Sequence, residues 1–480
     1  MAILGIDIGT TGCKCVAFTE KMEAISEAYR EYPLIHIENG FVEQNPSLWW
    51  SAVVETIREV SKEIKSITRI GISSQGITFV PVDENGEMLC NALSWLDMRA
   101  VKECDRLESL IGCKKIYSIT GKKINPAYTL PKLMWIKNNQ PEIYSKTYKF
   151  LTAHDYIIYR LCGVYVTEQS LAAGFMAFDI TTKIWDEEIL LSAGIDAKKL
   201  PNITVSGTPV GELSEKASFE TGLKPGIIIS TGGQDQKCAA CGAGLSLENI
   251  TVSLGTSSAI TALYDKPIFT EDMCLPCFPY IDGNNWVLEG FSSTAGASIK
   301  WFRDNIGNGR GYKEIDDSIE TEYYKAPDGR VMFFPYLGGT ATPEWYDTDT
   351  GGFLGITLDT TNTQMATAIL ESIAFNIRAN IEKMESLGKS YKALSVFGGG
   401  ANSGIWLRMI ADVTGKMVKV PELEETACKG AAIKAAGINE SQIMNIAGKS
   451  KIISPDNITH KRYNKKYKKY KLIEKKVYGG

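Results

Sequence analysis

The chain has 480 residues, a formal net charge of −4, 44% hydrophobic residues and 22% charged residues. Single cores stop growing at about 250–300 residues, so two domains of similar size are expected, and the acidic balance argues against nucleic acid as the main partner. No apolar run approaches the ~20 residues of a membrane helix, and the N-terminal apolar segment carries Asp7 with no basic region before it, so a secretory signal is not expected and a cytoplasmic location is.

The opening residues, "ILGID", a Gly-Thr turn and "CKCVAF", predict a β-hairpin. Its glycines stand at 5, 9 and 12, a spacing that fits neither a P-loop nor a dinucleotide loop. A helix is predicted over residues 46 to 64, with Pro46 in its first turn and an apolar stripe of Trp49, Val53, Ile57, Val60 and Ile64. "ITRIGISS" reads as a buried strand, and residues 79 to 95 as a hairpin turning at Glu84-Asn85-Gly86. Strands alternating with helices give an α/β class.

At 226 to 263 a strand, a Gly-Gly turn and a small-residue helix lead into a second hairpin. "VSLGTSSAITALY" lines up without gaps on "IDIGTTGCKCVAF", 246 residues earlier, with Ser253 where the first copy has Asp7. Two copies of one fold are expected to face each other, with a boundary near Leu245 and both Gly-Thr turns in a shared cleft. Further on, "TQMATAILESIAFNIRANIEKMESLG" predicts a long helix ending at Gly388, and "ALSVFGGGANSGIWLRMIADVTG" a strand, a triple-glycine turn and a helix stopped by Gly415. The basic tail predicts a solvated helix docked through Tyr463, Tyr467 and Tyr470.

Four Gly-rich turns therefore follow predicted strands: 9–12, 232–233, 255–258 and 398–400. Glycine lets backbone N–H groups approach an anion, and Thr or Ser adds a hydroxyl donor. Several such turns around one cleft suit a polyphosphate nucleotide. The eleven cysteines include two C-x-x-C pairs, Cys238/Cys241 and Cys274/Cys277, but the 32-residue gap between them exceeds zinc-ribbon spacing. Structural thiols are expected there.

These motifs resemble the FGGY carbohydrate kinases of the actin/hexokinase/Hsp70-like ATPase superfamily. The resemblance runs through "GIDIGTTGCK", "WLDMR", "TLPKLMW", "GGQDQ", "LGTS", "GASIKWFRD", "FFPYLGGTATP" and "FGGGANSGIWLRMIADVTG" in order. It implies two RNase H-like domains, 1–245 and 246–480, around a central cleft, with ATP and Mg2+ bound between them. Asp235 would be the catalytic base. Asp7 would stand by the metal through water, Thr10 and Thr11 would bind phosphate oxygens, and Lys14 would sit at the rim. Gly255 and Thr256 would close on the phosphates. Gly296, Ile299 and Lys300 would contact the nucleotide, and Gly399, Gly400, Asn402 and Ser403 would line the adenosine pocket. Gln75, Trp95, Asp97, Arg99 and Gln236 fall on substrate positions or their flanks. Gly76-Ile77 stands where xylulokinases have Met-His and glycerol kinases Arg-Glu, a departure that leaves the acceptor open. A ketopentose such as xylulose is the leading expectation, with glycerol, erythritol, ribulose, fuculose or gluconate as alternatives, and a homodimer is left open. An actin- or Hsp70-like ATPase with no sugar acceptor and a zinc module are the rival classes.

Overall fold

The computed structural model describes residues 1–480 except 65, 324–328, 341, 347, 423–424, 440–449 and 480. Ala341 of the "FFPYLGGTATP" segment thus lies outside the described residues. The first strand, Ala2–Ile8 (β1), is apolar on both faces and almost wholly buried, which makes it a central strand. Gly12–Thr19 (β2) returns antiparallel to it, and Ala24–Glu31 (β3) continues the meander. Pro46–Val60 (α1) is capped by the Asn45 side chain on Ser47 N–H and buries Trp49, Val53, Ile57 and Val60. It stops at Val60, short of the expected 64, because one 3-10 turn, Ser61–Glu63, takes over. Ile67–Ser74 (β4) then pairs parallel with β1. Pro209–Glu212 (β5) and Ile228–Gln234 (β6) complete a sheet of order β5-β6-β4-β1-β2-β3. Asp235–Gly242 (α2) follows β6 directly.

The second sheet repeats this plan. Asn249–Leu254 (β7), Ser258–Tyr264 (β8) and Trp286–Ser292 (β10) form an antiparallel meander, edged by Cys277–Pro279 (β9). Ala393–Phe397 (β11) and Met417–Pro421 (β12) then add in parallel, and Ser450–Ile453 (β13) closes the edge, giving β9-β10-β8-β7-β11-β12-β13. The five-strand unit β3-β2-β1-β4-β6 matches β10-β8-β7-β11-β12 in order and direction, so the sequence repeat is a repeat of fold.

The repeat is not gapless, however. Asp7 faces Lys14 in the first hairpin, whereas Ser253 faces Ala259 in the second. Gly9 N–H bonds to the Gly12 carbonyl but Gly255 N–H to that of Ser257. The second turn is one residue tighter, and its return strand slips by one against the ungapped alignment.

Helices fill the flanks. Gly296–Asn305 (α3), Asn362–Glu385 (α4), Gly404–Thr414 (α5), Thr426–Ala435 (α6) and Asn457–Tyr478 (α7) belong to the second half. Thr361 forms a capping box with Gln364 at the start of α4, and Gly415 ends α5 in the left-handed region. Tyr463, Tyr467 and Tyr470 of α7 are buried against Phe375 of α4. The tail is thus a docked helix, with Lys466 and Lys471 turned inward onto Glu371 and Glu474 and its other lysines mostly exposed.

One element crosses between halves. Helix α6 lies on β1, β4 and β6 of the first sheet and crosses α2. The approach is possible only through glycine. A Cβ on Gly430 would stand 1.9 Å from the Cys238 carbonyl oxygen, and one on Gly242 2.0 Å from that of Thr426. Gly5 and Gly71 meet the carbonyls of Cys428 and Ala431 in the same way. Cys238, Cys241, Cys274 and Cys277 are all buried, and no group of three or more His, Cys, Asp or Glu able to hold a metal occurs among the described residues. No described helix is long and apolar enough to cross a membrane.

Candidate active site

A cleft of about 570 Å³ opens between the two sheets, lined from the first half by Thr10, Gln75, Trp95 and Asp235 and from the second by Ser253 and Ser257. The first turn is held from behind. The Tyr32 hydroxyl lies 2.7 Å from the Gly9 carbonyl and 3.0 Å from that of Gly12. Gln44 Nε2 donates to the Thr10 carbonyl, and Trp95 Nε1 donates to Thr10 Oγ1 at 2.9 Å. Thr10 therefore keeps its own hydroxyl hydrogen for an anion in the cleft. Thr11 is exposed beside it. Lys14 does not reach the cleft lining; its ammonium pairs with Glu425 from the second half and lies 3.7 Å from Glu27. Gln44 and Tyr32 were invisible in sequence, since nothing local links positions 32 or 44 to a turn at 9–12.

Asp7 sits at the base of this turn, partly exposed but not among the residues lining the cleft. Ser73 Oγ donates to its Oδ1 at 2.7 Å and is its one hydrogen-bond donor among the described residues. Burial pushes its carboxyl up to about 6, against the lowering effect of Ser73. A hard cation that keeps its waters, such as Mg2+, fits a single carboxylate with a free oxygen at a phosphate turn.

Asp235 lies where β6 passes into α2, a strand-to-helix junction that places its side chain on the cleft floor. Gln234 Nε2 at 2.6 Å and Gln236 N–H at 2.7 Å both donate to Oδ1. The other oxygen is left to take a proton. Burial, then the Asp7 charge, pushes the carboxyl up to about 7, near the optimum for proton transfer at neutral pH. The next residue, Lys237, is fully buried, pairs with Glu289 at 2.6 Å and stands 3.6 Å from the Phe278 ring centre. Lys122 lies 3.9 Å from that ring and donates to the Cys277 carbonyl. Two lysines of the first half thus grip one strand of the second.

Three turns of the second half pack together, and none of the nucleotide-contact residues expected in them is among those lining the cleft. Gly296 N–H donates to the Gly255 carbonyl at 2.8 Å, and Ala295 and Ala297 N–H to that of Thr256. Gly398 is left-handed, and a Cβ on Gly400 would meet Leu254 at 2.6 Å. Ser403, the residue directly after the turn Gly399–Asn402, caps α5. Gly255, Thr256, Gly296, Gly399, Gly400, Asn402 and Ser403 are thereby gathered at one edge. Ile299 instead points into the core, and Lys300 is exposed and paired with Asp304 at 2.9 Å.

On the substrate wall, Gln75, Trp95, Asp235 and Gln236 line the cleft, whereas Asp97 and Arg99 lie behind it. The Arg99 guanidinium stands 4.3 Å from the Phe41 ring centre and 4.8 Å from that of Trp135, two rings set edge to face, and bonds Asp97 and Glu43. Asp97 also accepts from Val42 N–H at 2.7 Å. The pair is spent on holding the loop that aims Trp95 at Thr10. Ile77 is unusual: its φ is +71°, a region that β-branched residues avoid at a cost of roughly 1–3 kcal/mol. Thr78 N–H bonds to the Gly76 carbonyl at 2.7 Å, closing a three-residue turn with Ile77 at its apex.

Two facing phosphate turns and a carboxylate at a strand–helix junction define a phosphotransferase of the actin-like ATPase fold. The family model described as "FGGY family of carbohydrate kinases, N-terminal domain" matches residues 2–242, and the corresponding C-terminal model residues 250–437. A xylulose kinase of Bacillus subtilis (strain 168) is 31% identical over 90% of this chain and 87% of its own length. A gluconokinase of the same organism is 29% identical over 90% and 86%. The ligand-bound structure of a xylulose kinase from Lactobacillus acidophilus superposes with a TM-score of 0.93 at 26% identity, covering 100% of this chain and 99% of that one. The chain belongs to the FGGY family of carbohydrate kinases. It is an ATP-dependent enzyme that phosphorylates an alcohol group of a carbohydrate.

Proposed function

We propose that the acceptor is a ketopentose of the xylulose type, phosphorylated with Mg2+ at Asp7 and Asp235 as base. The observation that carries this reading is Asp235 itself, on the cleft floor between both phosphate turns with one oxygen unbonded. The free Oδ2 accepts the proton of the acceptor hydroxyl as its oxygen bonds to the γ-phosphorus, while the bond to the bridging oxygen breaks and ADP leaves. Thr10 and the turn of Gly255-Thr256 orient the phosphates from opposite sides, and the cleft walls exclude water. Asp7 would hold Mg2+, which when bound would offset charge on the phosphates. Xylulose kinases among the relatives support the ketopentose class.

Gluconate is the second reading. Lys123 lines the cleft 5.9 Å from the Trp345 ring centre, without an acidic partner among the described residues, and a gluconokinase stands among the relatives. A coupled ADP assay across three- to six-carbon ketoses, aldoses, polyols and sugar acids decides. Ketopentoses are expected to give the highest kcat/KM. Turnover of gluconate alone replaces this reading with the second, and an absence of carbohydrate-stimulated ADP release refutes both.

A further inference from the structure

Asp235 is held by a chain of contacts that begins outside the cleft. Glu168 ends the short strand Val166–Glu168 and is buried. Its Oε2 accepts from Ser170 N–H at 2.8 Å and from Ser170 Oγ. Ser170 Oγ in turn accepts from Gln234 N–H at 3.0 Å. Gln234 closes the chain, since its Nε2 donates to Asp235 Oδ1. Strand β6 needs this support, because its register on β4 shifts between Thr231 and Gly233, just before Asp235.

Two glycines make the room. A Cβ on Gly76 would stand 2.9 Å from Gln234 Cγ, and one on Gly233 would stand 3.1 Å from Ser170 Oγ and 3.3 Å from Glu168 Oε2. The sense of the Gln234 amide is also fixed. Asp235 Oδ1 already accepts from Gln236 N–H, so Nε2 rather than Oε1 must face it. Gln234 Oε1 is then left buried with no hydrogen-bond partner among the described residues. An unmet buried oxygen is a cost in stability. A glutamine kept in that state while it grips a carboxylate is placed for the carboxylate, not for the fold.

We infer that Gln234 is a positioning residue for Asp235, held in place by the Glu168–Ser170 pair: its amide fixes Oδ1 and so turns Oδ2 toward the hydroxyl to be deprotonated. The inference rests on the kinase reading above, with Asp235 as base. Losing the amide lets the carboxylate rotate about its last bond. A misplacement on the order of 1 Å at a reacting group costs about a hundredfold in rate, and a carboxylate with one donor fewer holds its proton more tightly. The other charges acting on Asp235 are those of Asp7 on β1, Lys237 on α2 and Glu289 on β10. All three stay in place when Gln234 or Ser170 is replaced.

The test measures single-turnover phosphoryl transfer from MgATP to xylulose, or to the acceptor that the ADP assay selects, as a function of pH. The full-length wild type is compared with Gln234→Met, which keeps the length of the side chain, with Gln234→Glu and with Ser170→Ala, and melting temperatures check that each is folded. Gln234→Met is expected to lose about tenfold to a hundredfold in rate, with the KM of MgATP nearly unchanged and the midpoint of the pH profile raised. Gln234→Glu sets a second carboxylate against Oδ1 and is expected to raise the midpoint further. Ser170→Ala is expected to move rate and midpoint in the same direction by less. If Gln234→Met does not fold, the midpoint of Gln234→Glu carries the test. A wild-type rate and midpoint in Gln234→Met or Ser170→Ala, a loss confined to KM, or an unmoved midpoint in Gln234→Glu overturns the inference and leaves the kinase reading standing. No phosphoryl transfer by the wild type to any acceptor overturns both.

Discussion

The proton acceptor of the reaction should betray itself in the pH dependence of the chemical step. Asp235 must be ionised to take a proton, and its carboxyl lies at about 7 rather than 3.8. At that value the ionised fraction is about 0.1 at pH 6 and about 0.9 at pH 8, so the rate of phosphoryl transfer should rise roughly tenfold across that interval. An aspartate at its ordinary value would be ionised throughout, and the profile would be flat. Burial is the first cause of the shift and the Asp7 charge the second, so a cation at Asp7 lowers the midpoint without abolishing it. The assay is a single-turnover measurement of phosphoryl transfer at saturating MgATP and acceptor, which keeps product release out of the reading. Asp235→Asn is the control: it should bind ATP, fold normally, lose on the order of a hundredfold or more in rate, and show no rise with pH. A flat wild-type profile, or a variant with near-normal turnover, refutes the role assigned to Asp235.

Removing Arg99 should act on the site from behind. Arg99→Ala leaves Asp97 and Glu43 unpaired in a closed cluster, so a stability loss of about 3–5 kcal/mol in urea unfolding is expected, together with a change in Trp95 environment read by quenching. Gly430→Ala drives a methyl into the Cys238 carbonyl and should lower stability by about 1–3 kcal/mol, with a depressed melting temperature as the readout. Glu168 is buried and its carboxyl pushed from 4.5 to about 7 by burial. Its folded form holds the proton more tightly than the unfolded chain, so it contributes a fall in stability as pH rises from about 4.5 through 7. Glu168→Gln should flatten that part of the stability curve relative to wild type; identical slopes for the two proteins would refute it.

The sequence showed the elements that are local and missed the distances between them. Gly9-Thr10-Thr11 and Gly255-Thr256 declared both turns because only certain residues make them. The strand and helix flanking Asp235 were legible, but the Gly-Gly turn expected at 232–233 is absent: both glycines lie inside β6, which runs to Gln234. The one-residue slip of the second hairpin did not follow, since residue identity on either side of a turn does not reveal its length. Asp97 and Arg99 carry the residue types of a substrate wall, yet the edge-to-face corner of Phe41 and Trp135 that claims Arg99 is assembled from positions 58 and 36 residues away from it. The strain at Ile77 is a backbone angle, and no residue list shows it.

The crossing of α2 and α6 bears on how such a protein could have come about. Each copy of the repeat now leans on a helix that meets the other: α6, from the second copy, roofs the sheet of the first. A chain cut at the junction between copies would leave the first sheet with an uncovered apolar face and α6 with nothing to rest on. Once fused and fitted through bare glycine backbone, the two copies ceased to be separable inheritances. The first half has to wait through synthesis of nearly two hundred further residues, from Gly242 to Thr426, before its own sheet is covered. The ribosome, or whatever attends it, must shelter that face until then.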